Sequence, residues 1–260
     1  MTLHIQYHDK RMLRKPVVFL LIIVCVVSLD ACGRLSAETD TQSLQSTTQS
    51  TGQIYLYGEE HGVKKIMDKE YALWNEYYHN EGMRHLFIED SYYGAEFLNI
   101  WMQSDNDDVL EKIYTNLAGT AAHNPYYKDF YKKIKSDCPD TVFHGTDVGH
   151  QHDSTGKQFL DYLETNRLND TEQYQLTLES IEQGKYFYGQ SSDADVYREN
   201  MMAQNFIREF DKLGGKSCMG IYGNAHTGLN KMDYNTNSVP SMANQLKKKY
   251  GDSVHSEDLR

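Results

Sequence analysis

The chain has 260 residues, 39% hydrophobic and 24% charged, with 26 basic against 37 acidic side chains. That balance excludes a disordered polyampholyte and a membrane bundle and supplies enough apolar residues for a real core. A net charge of −11 argues against a nucleic-acid partner, because phosphate binding needs clustered positive charge. The nearest candidate for such a cluster, Lys247 to Lys249, reads as the solvated face of a helix.

Residues 1–31 read as an export signal. A basic stretch ends at Lys15, an apolar run extends from Pro16 to Leu29, and Leu29-Asp30-Ala31-Cys32 follows. About 14 apolar residues are few for a transmembrane helix but suit the core of a secretory signal. The end of the run resembles the bacterial lipoprotein box, in which a small residue precedes a cysteine that becomes the lipidated first residue. That makes Cys32 the candidate for lipidation, with a palmitate-type chain as anchor. Asp30 departs from the small or apolar residue usual at its position, and the alternative is an uncleaved signal anchor. Either way the domain is expected outside the cytoplasm, tethered to the cell membrane. Removing the segment takes away Lys10, Arg11, Arg14 and Lys15 against Asp9 and Asp30, and leaves 229 residues with 22 basic and 35 acidic side chains.

After Cys32 the composition shifts to Ser, Thr and Gln as far as Gly52, too polar to repay the entropy of ordering. Residues 32–52 are therefore expected to be a flexible linker, and 53–260 a single α/β domain. Within it, Ile54 to Tyr57, His85 to Ile88, Thr141 to Phe143 and Cys218 to Tyr222 read as strands, apolar on both faces as in a buried parallel sheet. A helix from Val63 to about Asn80 carries one stripe of Ile66, Leu73 and Tyr77 and another of Met67, Tyr71, Trp74 and Tyr78, with Gly82 as its stop. Strand, helix, strand in that order implies a right-handed crossover. Gly94 to Asp137 is helical in pattern, broken at Gly119 and Pro125, and Thr155 to Gly184 is helical again. A further helix from about Ala194 to Leu213 has Met202, Phe206, Phe210 and Leu213 on one stripe and ends at Gly214-Gly215. These insertions are long for simple crossovers and predict a helical cap over one end of the sheet. Cys138 and Cys218, each just before a strand, are the domain's two cysteines; the compartment permits a bridge, but spacing does not establish one.

Chemistry is expected where the strands end. The first is followed by Gly58-Glu59-Glu60-His61-Gly62, the second by Glu89-Asp90, the third by His144-Gly145-Thr146-Asp147 and the fourth by Gly223-Asn224-Ala225-His226. In an open parallel sheet the carboxyl ends share one edge, where ligands bind. Each acid alone could cap a helix or face solvent. The convergence of His61, Glu89, Asp147 and His226 points to a site, since burying several titratable groups together is costly unless they work or bind something. His150 and His152 read as peripheral. Arg198 lies opposite the Met202, Phe206, Phe210 stripe, where it would hold a carboxylate or a developing oxyanion; the alternative is an exposed arginine paired to Glu199 or Asp195.

The Gly58-Glu59-Glu60-His61 and Gly223-Asn224-Ala225-His226 pair, with Glu89 between, resembles the superfamily of erythromycin esterases, ChaN-like haem-uptake lipoproteins and Tiki/TraB-type proteins. Arg198-Glu199-Asn200-Met201 resembles a segment of its esterase-like bacterial members. The likeness covers roughly Gln53 to Gly228. It implies a parallel α/β core and one of three activities. Tiki-type proteases would make His61, Glu89 and His226 metal ligands. Esterases would make His61 the general base, helped by Glu59 and Glu89, although their first motif usually has one more residue before the histidine. ChaN-like members bind haem, for which this chain offers 20 tyrosines but no matched one. Tyr92-Tyr93 and Tyr126-Tyr127 read as amphipathic core-edge residues. The combined expectation is a hydrolase of an ester or peptide bond in a small-molecule or peptide substrate, with His61, Glu59, Glu89 and His226 catalytic and Arg198, Asp147 and Glu60 contacting substrate. The cofactor is left open between none, a divalent metal and haem.

Overall fold

Each strand expected from an apolar run is present, and most run further than that. In the computed structural model, which describes residues 52–189 and 192–260, they are β1 (Ile54–Glu59), β2 (His85–Ser91), β3 (Val142–Asp147) and β4 (Cys218–Gly223). The expected export signal, Cys32 and the linker up to residue 51 lie outside the described residues. A fifth strand, β5 (Val254–Asp258), was not anticipated. Its sequence, Val-His-Ser-Glu-Asp, has one buried residue because it lies at the sheet edge and pairs only with β1. The order is β3-β2-β4-β1-β5, and every pairing is parallel.

Eight α-helices among the described residues flank this sheet. They are α1 (Lys64–Asn80), α2 (Tyr92–Met102), α3 (Asp108–Asn116), α4 (Tyr127–Asp137), α5 (Lys157–Thr165), α6 (Glu172–Gly189), α7 (Ala194–Asp211) and α8 (Met242–Tyr250). Alternation along the strands sends Tyr57, Leu86, Ile88, Met219 and Ile221 into a core shared with α1 to α4. Ile54, Leu56, Phe87 and Tyr222 face a second core with Met202, Phe206 and Phe210 of α7 and Leu246 of α8. The sheet is thus covered on both sides, as its apolar runs require. None of the described helices is long and apolar enough to cross a membrane.

Two features of the sequence take their form in the structure. Cys138 and Cys218 are free buried thiols, one in each core, so the sheet lies between them. The inward face of α1 is Ile66, Glu70, Trp74 and Tyr78, with Leu73 and Tyr77 only half-buried. The fourfold spacing puts these four side chains on one seam, and an acid occupies one of its positions. The helix does stop as expected: Gly82 adopts φ +68°, and the amides of Glu81 and Met83 both return to the Tyr77 carbonyl.

Candidate active site

Register brings the polar strand ends together. β4 lies between β1 and β2, with Ile54 and His85 both level with Cys218, so Glu59 is opposite Gly223 and Ile88 opposite Ile221. Gly223 itself is a gap with a purpose. A Cβ there would lie 3.2 Å from Glu89 Oε2 and 3.3 Å from His61 Nε2, so those two atoms share one small space. The Gly223 amide donates to Glu89 Oε2.

Around Glu89 stand two histidines, each held by its own glutamate. His61 Nδ1 donates to Glu59 Oε1 at 2.6 Å, which leaves Nε2 facing Glu89. The His61 side chain is 45% exposed and can reach solvent. His226 Nδ1 donates to Glu199 Oε2 at 2.6 Å, and its Nε2 lies 3.6 Å from Glu89 Oε1. Glu199 is buried, and its other oxygen accepts the Met242 amide at the start of α8. His61, Glu89 and His226 thus meet, as the sequence suggested. Glu199 went unrecognised as a functional residue because it reads as one more charge on a helix.

Arg198 is not the exposed arginine of the alternative reading. Its Nη2 donates to Glu89 Oε1 at 2.6 Å and to Asp147 Oδ2 at 2.5 Å, and its Nε donates to Asp147 Oδ1 at 3.0 Å. Asp147 is 1% exposed and also accepts from His150 Nε2 at 3.0 Å. His150 Nδ1 meets the Tyr188 hydroxyl at 2.6 Å. His150 therefore belongs to the site rather than its periphery, whereas His152 does not line the cavity. Glu60 is exposed and does not line it, and neither does His226.

The electrostatics follow from these contacts. The hydrogen bond to Glu59 raises His61 to about 9 against the opposing effect of burial, with the Glu89 charge adding to it. Burial alone would raise Asp147, but Arg198 and His150 hold it far below the ordinary range. Glu89 is likewise pushed up by burial yet ends lowered by His226 and Arg198. His226 ends raised, because Glu89 and Glu199 outweigh its desolvation. Asp90, buried against the Ser91 amide and hydroxyl, is pushed up by desolvation to about 6.

A cavity of about 330 Å³ opens beside these groups and runs under α1, the α3–α4 connection and α4. That size is at the lower end for small-molecule sites. His61, Glu89, Asp147 and Arg198 share its walls with Ile88, Ile221, Phe130 and Tyr131. Glu70 also lines it, 2% exposed, and burial helped by the Glu59 charge raises it to about 8. The signal for Glu70 was present in the sequence as an acid at a core position of a helical seam.

The residues do not fit a resident metal. Among the described residues no three His, Cys, Asp or Glu side chains are grouped to hold an ion, and the cation shared by Glu89 and Asp147 is the Arg198 guanidinium. Of the tyrosines lining the cavity, Tyr127 and Tyr131 are raised by burial, which disfavours tyrosinate there, whereas Tyr188 is 57% exposed and meets His150. Tyr93 is fully buried and donates to the His150 carbonyl.

No protein-family profile matches the sequence, and no curated protein does. Solved structures do resemble the fold. A protein from Bacillus cereus matches with TM-score 0.55 and 12% identity over 80% of this chain and 66% of its own. A succinoglycan biosynthesis protein matches with TM-score 0.57 and 15% identity over 79% of this chain and 65% of its own. A histidine-to-asparagine variant of the erythromycin esterase EreC, in its open conformation, matches with TM-score 0.56 and 10% identity over 80% and 69%. The chain spans slightly under two thirds of the length of the first two. At such identities the likeness is one of fold, an α/β architecture shared with an erythromycin esterase.

Proposed function

We propose that the protein is a hydrolase that activates water at the carboxyl edge of its sheet, with His61 as general base and an ester or peptide bond as target. The observation that carries this reading is the placement of His61: Nδ1 is bound by Glu59, and Nε2 faces Glu89 across the gap at Gly223. Glu59 fixes the ring and its tautomer, so that Nε2 takes a proton from water in the shared space. Glu89 orients that water. The attacking oxygen bonds to the substrate carbonyl carbon, and the proton held on His61 passes to the leaving oxygen or nitrogen as its bond to carbon breaks. Arg198 uses Nε and Nη2 on the two carboxylates, which leaves Nη1 as its edge for a substrate oxygen that gains charge. His226, held by Glu199, completes the wall around Glu89.

The fold shared with an erythromycin esterase supports hydrolysis as the class of reaction without defining the substrate. In the same proposal the domain works outside the cytoplasm, tethered through Cys32 and the polar linker. The test is a panel of ester and peptide substrates offered to the purified protein with and without chelator. Turnover that survives chelation supports the reading. Turnover that disappears with chelator and returns with added metal overturns it in favour of a Tiki-type mechanism.

A further inference from the structure

The carboxylates lining the cavity can be matched one by one to donors. Glu59 has His61, Glu89 has Arg198 and the Gly223 amide, Asp90 has the Ser91 amide and hydroxyl, and Asp147 has Arg198 and His150. Glu70 is the exception. It is 2% exposed, and its Oε1 is buried with no hydrogen-bond partner among the described residues. A carboxyl in that condition costs the folded chain free energy unless something supplies the missing donor. No side chain among the described residues donates to it, and the Tyr127 hydroxyl in the same cavity wall is likewise buried without a partner; Glu70 lies on the inward seam of α1 with Ile66 and Trp74.

What surrounds Glu70 indicates the kind of donor. The cavity it lines also has the rings of Tyr127, Phe130 and Tyr131 in its wall, with Tyr127 and Tyr131 centroids 4.7 Å apart and Phe130 and Tyr131 edge to face at 5.2 Å. A carboxyl beside aromatic rings, in a cavity whose acids outnumber its basic groups, suits an organic ammonium better than a neutral donor. The carboxylate supplies the countercharge, and the rings offer their negative faces while packing against the carbon stem.

We propose that this end of the cavity binds the amino group of the substrate, so that the ester or amide hydrolysed carries an amine on a compact apolar stem. The assignment rests on the hydrolytic reading only in calling the ligand a substrate; the amine site stands on Glu70 and its surroundings. An amine arriving neutral takes the Glu70 proton, and one arriving as ammonium displaces that proton to solvent. Either way the final pair is carboxylate and ammonium.

The test uses two probes of nearly equal shape that the protein cannot hydrolyse, phenethylammonium chloride and 2-phenylethanol, titrated calorimetrically into the full-length chain at pH 7. The expected result is that the ammonium binds about tenfold or more tightly than the alcohol, and that Glu70→Gln removes this preference while a melting scan shows the variant folded. Equal affinity for the two probes in the unaltered protein overturns the proposal without need of any variant. So do failure of both probes to bind and a preference that survives Glu70→Gln. Because neither probe is turned over, these outcomes are independent of whether ester or peptide hydrolysis is found.

Discussion

Arg198 of α7 reaches Glu89 of β2 with Nη2 2.6 Å from Oε1, and this contact ties the helix to the carboxyl edge of the sheet. The same guanidinium holds Asp147 of β3, so one side chain compensates two buried acids. Arg198→Met removes the cation the two acids share and leaves Asp147 with His150 and Glu89 with His226. Breaking a buried pair in this way costs about 3–5 kcal/mol, and the loss is to be read as a lowered midpoint in chemical denaturation. Because Asp147 is held far below its ordinary range, its contribution is present above about pH 4 and lost only as pH falls through the depressed value. The variant is therefore expected to differ most from the parent at neutral pH. A midpoint within experimental error of the parent's contradicts the role assigned to the guanidinium.

Glu70 titrates in the opposite sense. Burial raises it to about 8, so the folded chain holds a proton that the unfolded chain releases near 4.5. Its favourable effect is complete below that pH and disappears as pH rises through about 8, with a slope of up to about 1.4 kcal/mol per pH unit. Glu70→Gln should flatten stability between pH 5 and 8 and raise the melting temperature at pH 8. A pH profile identical to the parent's counts against a buried neutral acid at this position.

Gly223 tests the shared space directly. A methyl group there would press on Glu89 Oε2 and His61 Nε2, at 3.2 and 3.3 Å, closer than most real Cβ contacts. Gly223→Ala is expected to lower kcat by about tenfold or more through misplacement of the two groups, with the domain still folded. Unchanged turnover shows that the space does not hold the reacting water.

Much of this arrangement was legible from the strand ends, because parallel strands bring their carboxyl ends to one edge whatever their order. His61, Glu89, Asp147 and His226 were found that way, and Arg198 through its face on α7. Glu60 stands apart from these groups, since neighbours in sequence at a strand exit point to different sides: Glu59 turns to His61 and Glu60 to solvent. Glu199 was undervalued because its importance depends on a partner 27 residues away, His226. β5 escaped notice because an edge strand needs little apolar surface. Glu70 was passed over because a charged residue on a helix is ordinarily placed on its wet face.

Turnover should depend on pH through His61. The base must be neutral, and the Glu59 hydrogen bond raises it to about 9. The rate is thus expected to rise with pH and level off near 9. Glu59→Gln removes the largest cause of the shift, so the rising limb should move toward the ordinary histidine value near 6.5 as maximal turnover falls. A limb that stays in place in the variant contradicts the pairing of Glu59 with the base.

Water activation by His61 and Glu89 is tested by comparing the initial rate of hydrolysis on the ester and peptide panel for the parent protein, His61→Ala and Glu89→Gln, with circular dichroism to confirm that each is folded. The expected result is measurable turnover by the parent on at least one substrate and a loss of about a hundredfold or more in each variant. Turnover retained by both folded variants would contradict it.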